Sequence, residues 1–146
     1  MSSGATVVPA VNQIEINPFL YRKQTIDFFT SKGVVLQSYR TLRDGKAFSD
    51  PTCVGLAQKY NKSVAQVLCR WCFQKGFVCI PKSTKEERMA ENLNIFDFTI
   101  DEADMATLDA LTTSAAIDIF LGLYQKCVVR DTPLAMDAAK QAITVG

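Results

Sequence analysis

Histidine is absent from this chain, and that absence narrows the available chemistry before any element is placed. Without an imidazole, neither a Ser-His-Asp nor a Cys-His nucleophilic arrangement can be assembled from this sequence. Five cysteines remain, Cys53, Cys69, Cys72, Cys79 and Cys127, an odd number without framework-like spacing. Cys69-Arg70-Trp71-Cys72 reads formally as C-x-x-C, yet it sits inside a helical apolar pattern. Reduced core cysteines therefore account for it better than a metal or redox pair, and no metal ligand is assigned. The other group with chemical reach is basic: Lys82 and Ser83 just before a helix start, with Arg88 six residues beyond Lys82. Ammonium, guanidinium, hydroxyl and first-turn N–H groups together suit an anion. Seen singly, such charges are more often merely solvated.

The elements that must hold these groups alternate in type. Ala10 to Ile16 reads as a strand that stops before Asn17-Pro18. Gln24 to Lys32 has helical spacing in Ile26, Phe28 and Phe29, closed by Gly33. Val34 to Tyr39 is a second strand, nearly continuous in apolar residues as a buried parallel strand is. Thr41 to Ser49, polar and carrying Asp44-Gly45, reads as a loop. Asp50 before Pro51 starts a helix to about Tyr60. Ser63 caps another, in which Val64, Val67, Leu68, Trp71 and Cys72 recur at three- and four-residue intervals until Gly76. Phe77 to Pro81 is a third short strand, with Pro81 tolerable only at its end. Thr84 with Glu87 matches a capping box for a helix through Leu93, and Thr99 with Glu102 repeats the device for Asp101 to Leu111. Strands alternating with helices predict an α/β fold with a parallel sheet or barrel and helices outside.

Beyond residue 113 the pattern changes. Ala115 to Val129 places Ile117, Phe120, Leu121, Tyr124 and Cys127 or Val128 on one helical face, and Leu134 to Ile143 is a second helical candidate after Asp131-Thr132-Pro133. The chain thus divides into residues 1–113 and a helical tail, 114–146, that is a candidate partner-binding segment. A 48% apolar, 21% charged composition is that of a packed soluble domain. Sixteen basic residues against fifteen acidic ones give a formal charge of +1, without the clustered basic face that nucleic acid requires. No apolar run approaches the ~18 residues of a membrane span, and the first residues lack the charged start and apolar stretch of a signal peptide. The free cysteines fit a reducing, intracellular setting, and a membrane complex stays open as a partner.

Several ordered motifs carry a resemblance. Val11-Asn12-Gln13-Ile14-Glu15-Ile16-Asn17-Pro18-Phe19 resembles the aldo-keto reductase motif V-N-Q-I-E-x-[HN]-P-[YF]. Ile80-Pro81-Lys82-Ser83 with Arg88 and Glu91-Asn92 resembles that family's I-P-K-S-x-x-x-x-R-x-x-E-N signature at identical spacing. Asp50-Pro51, Lys62-Ser63, Arg70-Trp71 and Phe96-Asp97-Phe98 fit the connecting segments, so the likeness spans Val8 to Leu111. The family is a TIM barrel of eight strands. On its motifs this chain supplies the sixth, seventh and eighth, a partial barrel of three parallel strands with outer helices.

The resemblance implies roles residue by residue. Lys82 and Arg88 match the pair that meets the adenosine 2′-phosphate of NADP(H), with Ser83 beside them. Glu91 and Asn92 match residues that hold the adenine. Gln13 matches the residue bonded to the nicotinamide amide, and Tyr39 the ring stacked beneath the nicotinamide. The family's catalytic Asp, Tyr, Lys and His belong to earlier strands, so no residue here is assigned a catalytic role, Tyr39 and Lys82 included. One departure stands out: where the family continues Y-S-P-L-G, a loop around the pyrophosphate, this chain has Tyr39-Arg40-Thr41-Leu42-Arg43. The two arginines could neutralise phosphate, but the proline-set turn is lost.

Three strands leave two open edges and an inner face expected to hold Val11, Ile14, Val35, Leu36, Val78 and Ile80. Exposed in water, that face would aggregate or recruit another protein chain. The sequence therefore points first to a non-catalytic structural or accessory subunit of a larger assembly. The alternatives are the C-terminal part of an NADPH-dependent aldehyde or ketone reductase completed by another chain, and a non-catalytic NADP(H)-binding module.

Overall fold

The computed structural model describes residues 6–131, with side chains described through Gly122. In chain order the elements are β1 (Val11–Glu15), α1 (Lys23–Ser31), β2 (Val35–Tyr39), a 3-10 segment (Arg43–Ser49), α2 (Pro51–Tyr60), α3 (Val64–Gln74), β3 (Val78–Cys79), α4 (Glu86–Leu93), α5 (Glu102–Asp109) and α6 (Ser114–Asp131). The strands form one parallel sheet in the order β1-β2-β3, with Val11 opposite Val35, Glu15 opposite Tyr39 and Gln37 opposite Val78. The α/β partial barrel expected from the alternation of elements is the architecture observed. The second candidate helix, Leu134 to Ile143, lies outside the described residues.

Strand alternation fixes which face is covered. Leu36 and Ser38, at 3% and 0% exposure, point with Ile14 and Cys79 toward α2 and α3. On the opposite face Val11, Val35, Val78 and Ile80 stand 39–49% exposed. Four of the six residues expected on the open inner face are there. Ile14 and Leu36 are not, because their register partners put them on the helix side.

The core forms where α3 lies across the covered face. Val67, Leu68, Trp71 and Cys72 recur one helical turn apart and are all 0% exposed, joined by Leu108 of α5. Each such burial contributes about 1.5–3 kcal/mol. Trp71 also satisfies its one donor, since Nε1–H donates to Asp109 Oδ1 at 2.8 Å, and Tyr21 meets the indole edge-on at 6.0 Å. Asp109 in turn pairs with Lys75.

Two helix starts follow the sequence and two depart from it. Asp50 accepts from the Cys53 N–H at 3.0 Å, and Ser63 with Gln66 closes a full capping box. Neither Thr84 nor Thr99 caps a helix. The turn before α4 is made by Ser83, whose Oγ accepts from the Lys85 N–H at 3.1 Å. Asp101 caps α5 by accepting from Asp104 N–H, while Thr99 Oγ1 accepts from Arg70 Nη2 instead. The expected loop after β2 contains 3-10 turns, broken at Asp44 and Gly45 by left-handed backbone.

The start of α6 returns to the β1–α1 connection. Thr112 Oγ1 accepts from Tyr21 N–H at 2.8 Å and donates to the Pro18 carbonyl at 2.7 Å. Arg22 lies over the Phe120 ring. Ile117, Phe120 and Leu121 are half-buried and Ile119 is exposed, in keeping with the expected face; the side chains of Tyr124, Cys127 and Val128 lie outside the described set. Among the described residues no single helix is long and apolar enough to cross a membrane.

The two sheet faces should respond differently to truncation. Trp71→Ala is expected to lower the unfolding free energy of the chain in urea by about 3–5 kcal/mol, whereas Val35→Ala should change it by less than about 1 kcal/mol. A large loss at Val35 would show that the open face is covered in solution.

Candidate functional site

The C-terminal ends of parallel strands, and the turns that leave them, are where this architecture gathers chemistry. Here β2 ends in Tyr39-Arg40 and β3 runs into Ile80-Pro81-Lys82. Between them opens a cleft of about 700 Å³. Its walls are Tyr39 to Leu42 with Asp44, Gly45 and Phe48, the start of α3 (cap Ser63, then Val64 and Ala65), the segment Ile80–Ser83, and one face of α4 carrying Arg88, Glu91 and Asn92. Spacing of three and four residues puts that last trio on a single helical face.

Six of the seven residues singled out by sequence, Tyr39, Lys82, Ser83, Arg88, Glu91 and Asn92, line this one cleft. The seventh, Gln13, does not. It stands on the open sheet face, where its Oε1 accepts from Gln37 Nε2 at 2.8 Å. Lys82 and Arg88 have no carboxylate within ion-pair distance among the described residues. By contrast Lys59, Lys62 and Lys75 are each paired with an aspartate elsewhere on the surface. Two unneutralised cations beside a cleft suit a dianionic phosphate group. The Ser83 hydroxyl is engaged with Lys85 on both sides, donating to its carbonyl and accepting from its N–H. Glu86 and Glu87 occupy the first turn of α4, and neither lines the cleft.

The turn after β2 is held by an ion-pair network. Arg40 Nη1 meets Glu15 Oε2 at 3.0 Å, and its Nε and Nη2 reach Asp44 Oδ2 at 2.9 and 2.6 Å. The Asp44 hydrogen bonds first, then the nearby Glu15 charge, strengthen protonation of the guanidinium against the opposing effect of its burial. Arg43 lies over the Phe19 ring, 4.4 Å from its centroid, and does not line the cleft. Neither arginine is therefore a free phosphate ligand: one is committed to carboxylates and the other is turned away. Arg40, Arg43 and Asp44 all take φ of 48–54°, and Gly45 takes 83°, a cluster of left-handed backbone typical of functional turns. Beneath the turn, Ser38 Oγ donates to the Ile16 carbonyl at 2.6 Å and shares a 2.6 Å hydrogen bond with Thr41 Oγ1.

Thr41, Leu42, Phe48 and Val64 line the cleft without having been singled out by sequence. Phe48, 44% exposed, was the one legible member, a lone aromatic in a polar segment. Ser63 was legible only as a helix cap.

Three parallel strands, outer helices and a cation-lined cleft at their C-terminal ends define an α/β protein built as part of a TIM-type barrel. Residues 1–113 match the Aldo/keto reductase family, and this chain belongs to that family. It is 43% identical over 107 residues to glyoxal reductase of Bacillus subtilis, covering 73% of this chain and 39% of that protein. Aldose reductase B of Dictyostelium discoideum is 39% identical over 112 residues, 75% of this chain and 36% of the relative. Among solved structures, a Gox0644 mutant in complex with NADPH superposes with a TM-score of 0.73 at 35% identity, over 75% of this chain and 41% of that one. A Bombyx mori aldo-keto reductase in complex with NADP gives 0.68 at 32% identity, over 75% and 39%. The chain spans roughly two-fifths of the length of the relatives it matches.

The Glu15–Arg40 pair should be energetically coupled. Arg40→Ala leaves the Glu15 carboxylate, in a residue 8% exposed, with the Asn17 amide at 3.3 Å. Because the arginine is 43% exposed on its side chain, the expected cost is only about 1–2 kcal/mol. A double-mutant cycle with Glu15→Gln should return a coupling of at least about 0.5 kcal/mol; additivity would show the contact to be incidental.

Proposed function

We propose that this chain contributes the NADP(H)-binding portion of an aldo-keto reductase, and that carbonyl reduction requires further barrel strands supplied by another polypeptide. The observation that carries this reading is the convergence of Tyr39, Lys82, Ser83, Arg88, Glu91 and Asn92 on one cleft. The residues present fit the group. Lys82 and Arg88 would take the 2′-phosphate, Glu91 and Asn92 the adenine, and Tyr39 would carry the nicotinamide ring toward Gln13 on the open face. When bound, the nicotinamide supplies hydride. The acid that would protonate the product oxygen has no counterpart among the residues assigned here.

A second reading, a non-catalytic accessory subunit, is favoured by the turn after β2. The Arg40 network occupies the segment that in the family wraps the pyrophosphate, so a dinucleotide would meet a pre-filled turn. That reading predicts an assembly without nucleotide affinity. On either reading the open face of Val11, Val35, Val78 and Ile80 is the surface another chain covers.

Native mass spectrometry of the isolated species, followed by NADPH fluorescence titration of the same sample, separates the two. Lys82→Ala and Arg88→Ala should each weaken NADPH binding about tenfold or more and narrow its margin over NADH. An assembly that leaves NADPH fluorescence unchanged would discard the reductase reading.

A further inference from the structure

The proposed nucleotide site assigns no role to Arg40, whose guanidinium is held asymmetrically. Its Nη1 donates to Glu15 Oε2 at 3.0 Å, and the Glu15 side chain is only 10% exposed. The other edge, Nε and Nη2, donates to Asp44 Oδ2 at 2.9 and 2.6 Å, and the Asp44 side chain is 62% exposed. Arg40 and Asp44 line the same cleft as Lys82, Ser83 and Arg88, whereas Glu15 does not. The arginine is thus anchored on one edge by a buried acid outside the cleft. On the other edge it is covered by an exposed acid within the cleft wall.

We propose that Asp44 is a displaceable stand-in for phosphate: a nucleotide with a second phosphate group, apart from the one at Lys82 and Arg88, expels the Asp44 carboxylate and takes the Nε/Nη2 edge of Arg40. That edge is a fork matched to two oxygens of a carboxylate or phosphate in parallel. Asp44 gives both donors a single oxygen, so a phosphoryl group offers the fuller match and more negative charge. The Asp44 contact is also the one that is easily given up. Solvent screens it, and an exposed ion pair contributes little net free energy. Glu15, by contrast, would be left as a buried charge without its partner if the whole guanidinium moved away. The exchange therefore replaces one carboxylate and keeps the other, with Glu15 holding the arginine at the end of β2.

The backbone allows this exchange without refolding. The turn is closed by its own hydrogen bonds, Arg43 N–H to the Arg40 carbonyl at 2.8 Å and Gly45 N–H to the Leu42 carbonyl at 2.9 Å. Neither involves the Asp44 side chain, so its carboxylate can rotate away while the turn stays closed. The inference rests on the nucleotide reading in one respect, that Lys82 and Arg88 hold the first phosphate.

Two adenosine ligands that differ by one phosphate separate the proposal from the reading beneath it. Adenosine 2′-monophosphate engages Lys82 and Arg88 alone, and adenosine 2′,5′-bisphosphate adds the group assigned to Arg40. Each is titrated calorimetrically into the full chain and into Asp44→Asn, which removes the charge but keeps a residue tolerant of left-handed backbone. Asp44→Asn should bind the bisphosphate about fivefold more tightly than the unsubstituted chain, and the monophosphate within about twofold. Asp44→Gly, free to take the φ of 54° found there, should reproduce the gain. Adding Arg40→Gln to Asp44→Asn should remove it. Equal tightening of both ligands, or a gain that survives Arg40→Gln, overturns the proposal, because a negative charge would merely have left the cleft. Unchanged or weaker bisphosphate binding in both Asp44 variants, with the monophosphate still bound, also overturns it and leaves the nucleotide reading standing. Binding of neither ligand to any of these proteins removes the nucleotide reading and this inference together.

Discussion

A parallel strand needs hydrogen-bonding neighbours on both edges and apolar cover on both faces, and among the described residues β2 alone has the neighbours while no strand has full cover. Parallel sheets persist where both faces are packed. The helix side meets that condition, with Leu36, Ser38 and Ile16 all at or below 3% exposure. The other side does not. Covering four half-exposed aliphatic side chains would add about 3–6 kcal/mol, a sum comparable with the whole stability of a small domain. The missing cover is therefore large enough to decide whether the chain is stable by itself.

The cleft inherits its geometry from the same sheet. Tyr39 is placed by its pairing with Glu15 across β1–β2, and Lys82 by the short β3 that runs beside β2. The register also brings Glu15 to the residue following Tyr39, so that Arg40 reaches back to it at 3.0 Å. A turn that resembles relatives set by proline is here fixed by charge instead. Such a latch is softer than a covalent ring: it is screened by salt, and a phosphate could compete for the same guanidinium. Left-handed backbone at Arg40, Arg43 and Asp44 shows how much the local chain yields to accommodate it.

Much of this was legible in the sequence, for identifiable reasons. Asp50-Pro51 and Ser63 with Gln66 announce their helices because the cap and the residues it satisfies are local. Thr84 and Thr99 carry similar local patterns, yet one sits inside the turn that Ser83 closes with Lys85 and the other is claimed by Arg70 from α3. Local spacing cannot report a competitor 29 residues away. The sheet faces were illegible for a different reason: Val34-Val35-Leu36 is apolar throughout, so alternation gives no phase until helices choose a side. Arg40 reads as a candidate to neutralise phosphate until β1–β2 register delivers its carboxylate. The cleft residues around Lys82 and Arg88 were readable because their spacing spans a single strand-to-helix connection.

The two unfinished features, the open face and the cleft, meet at Tyr39. A dinucleotide anchored at Lys82 and Arg88 and stacked on Tyr39 would extend onto the face that holds Gln13 and Gln37, the same face that lacks cover. Whatever chain packs there would also enclose the far end of the nucleotide. Partner binding and nucleotide binding on the proposed reading are then linked, and linkage is reciprocal: if one tightens the other, each must do so by the same factor. A partner that instead filled the face with its own side chains over Tyr39 would exclude the dinucleotide, and the coupling would change sign. The accessory-subunit and split-reductase readings thus differ in one thermodynamic quantity, the sign of that coupling, rather than in the fold.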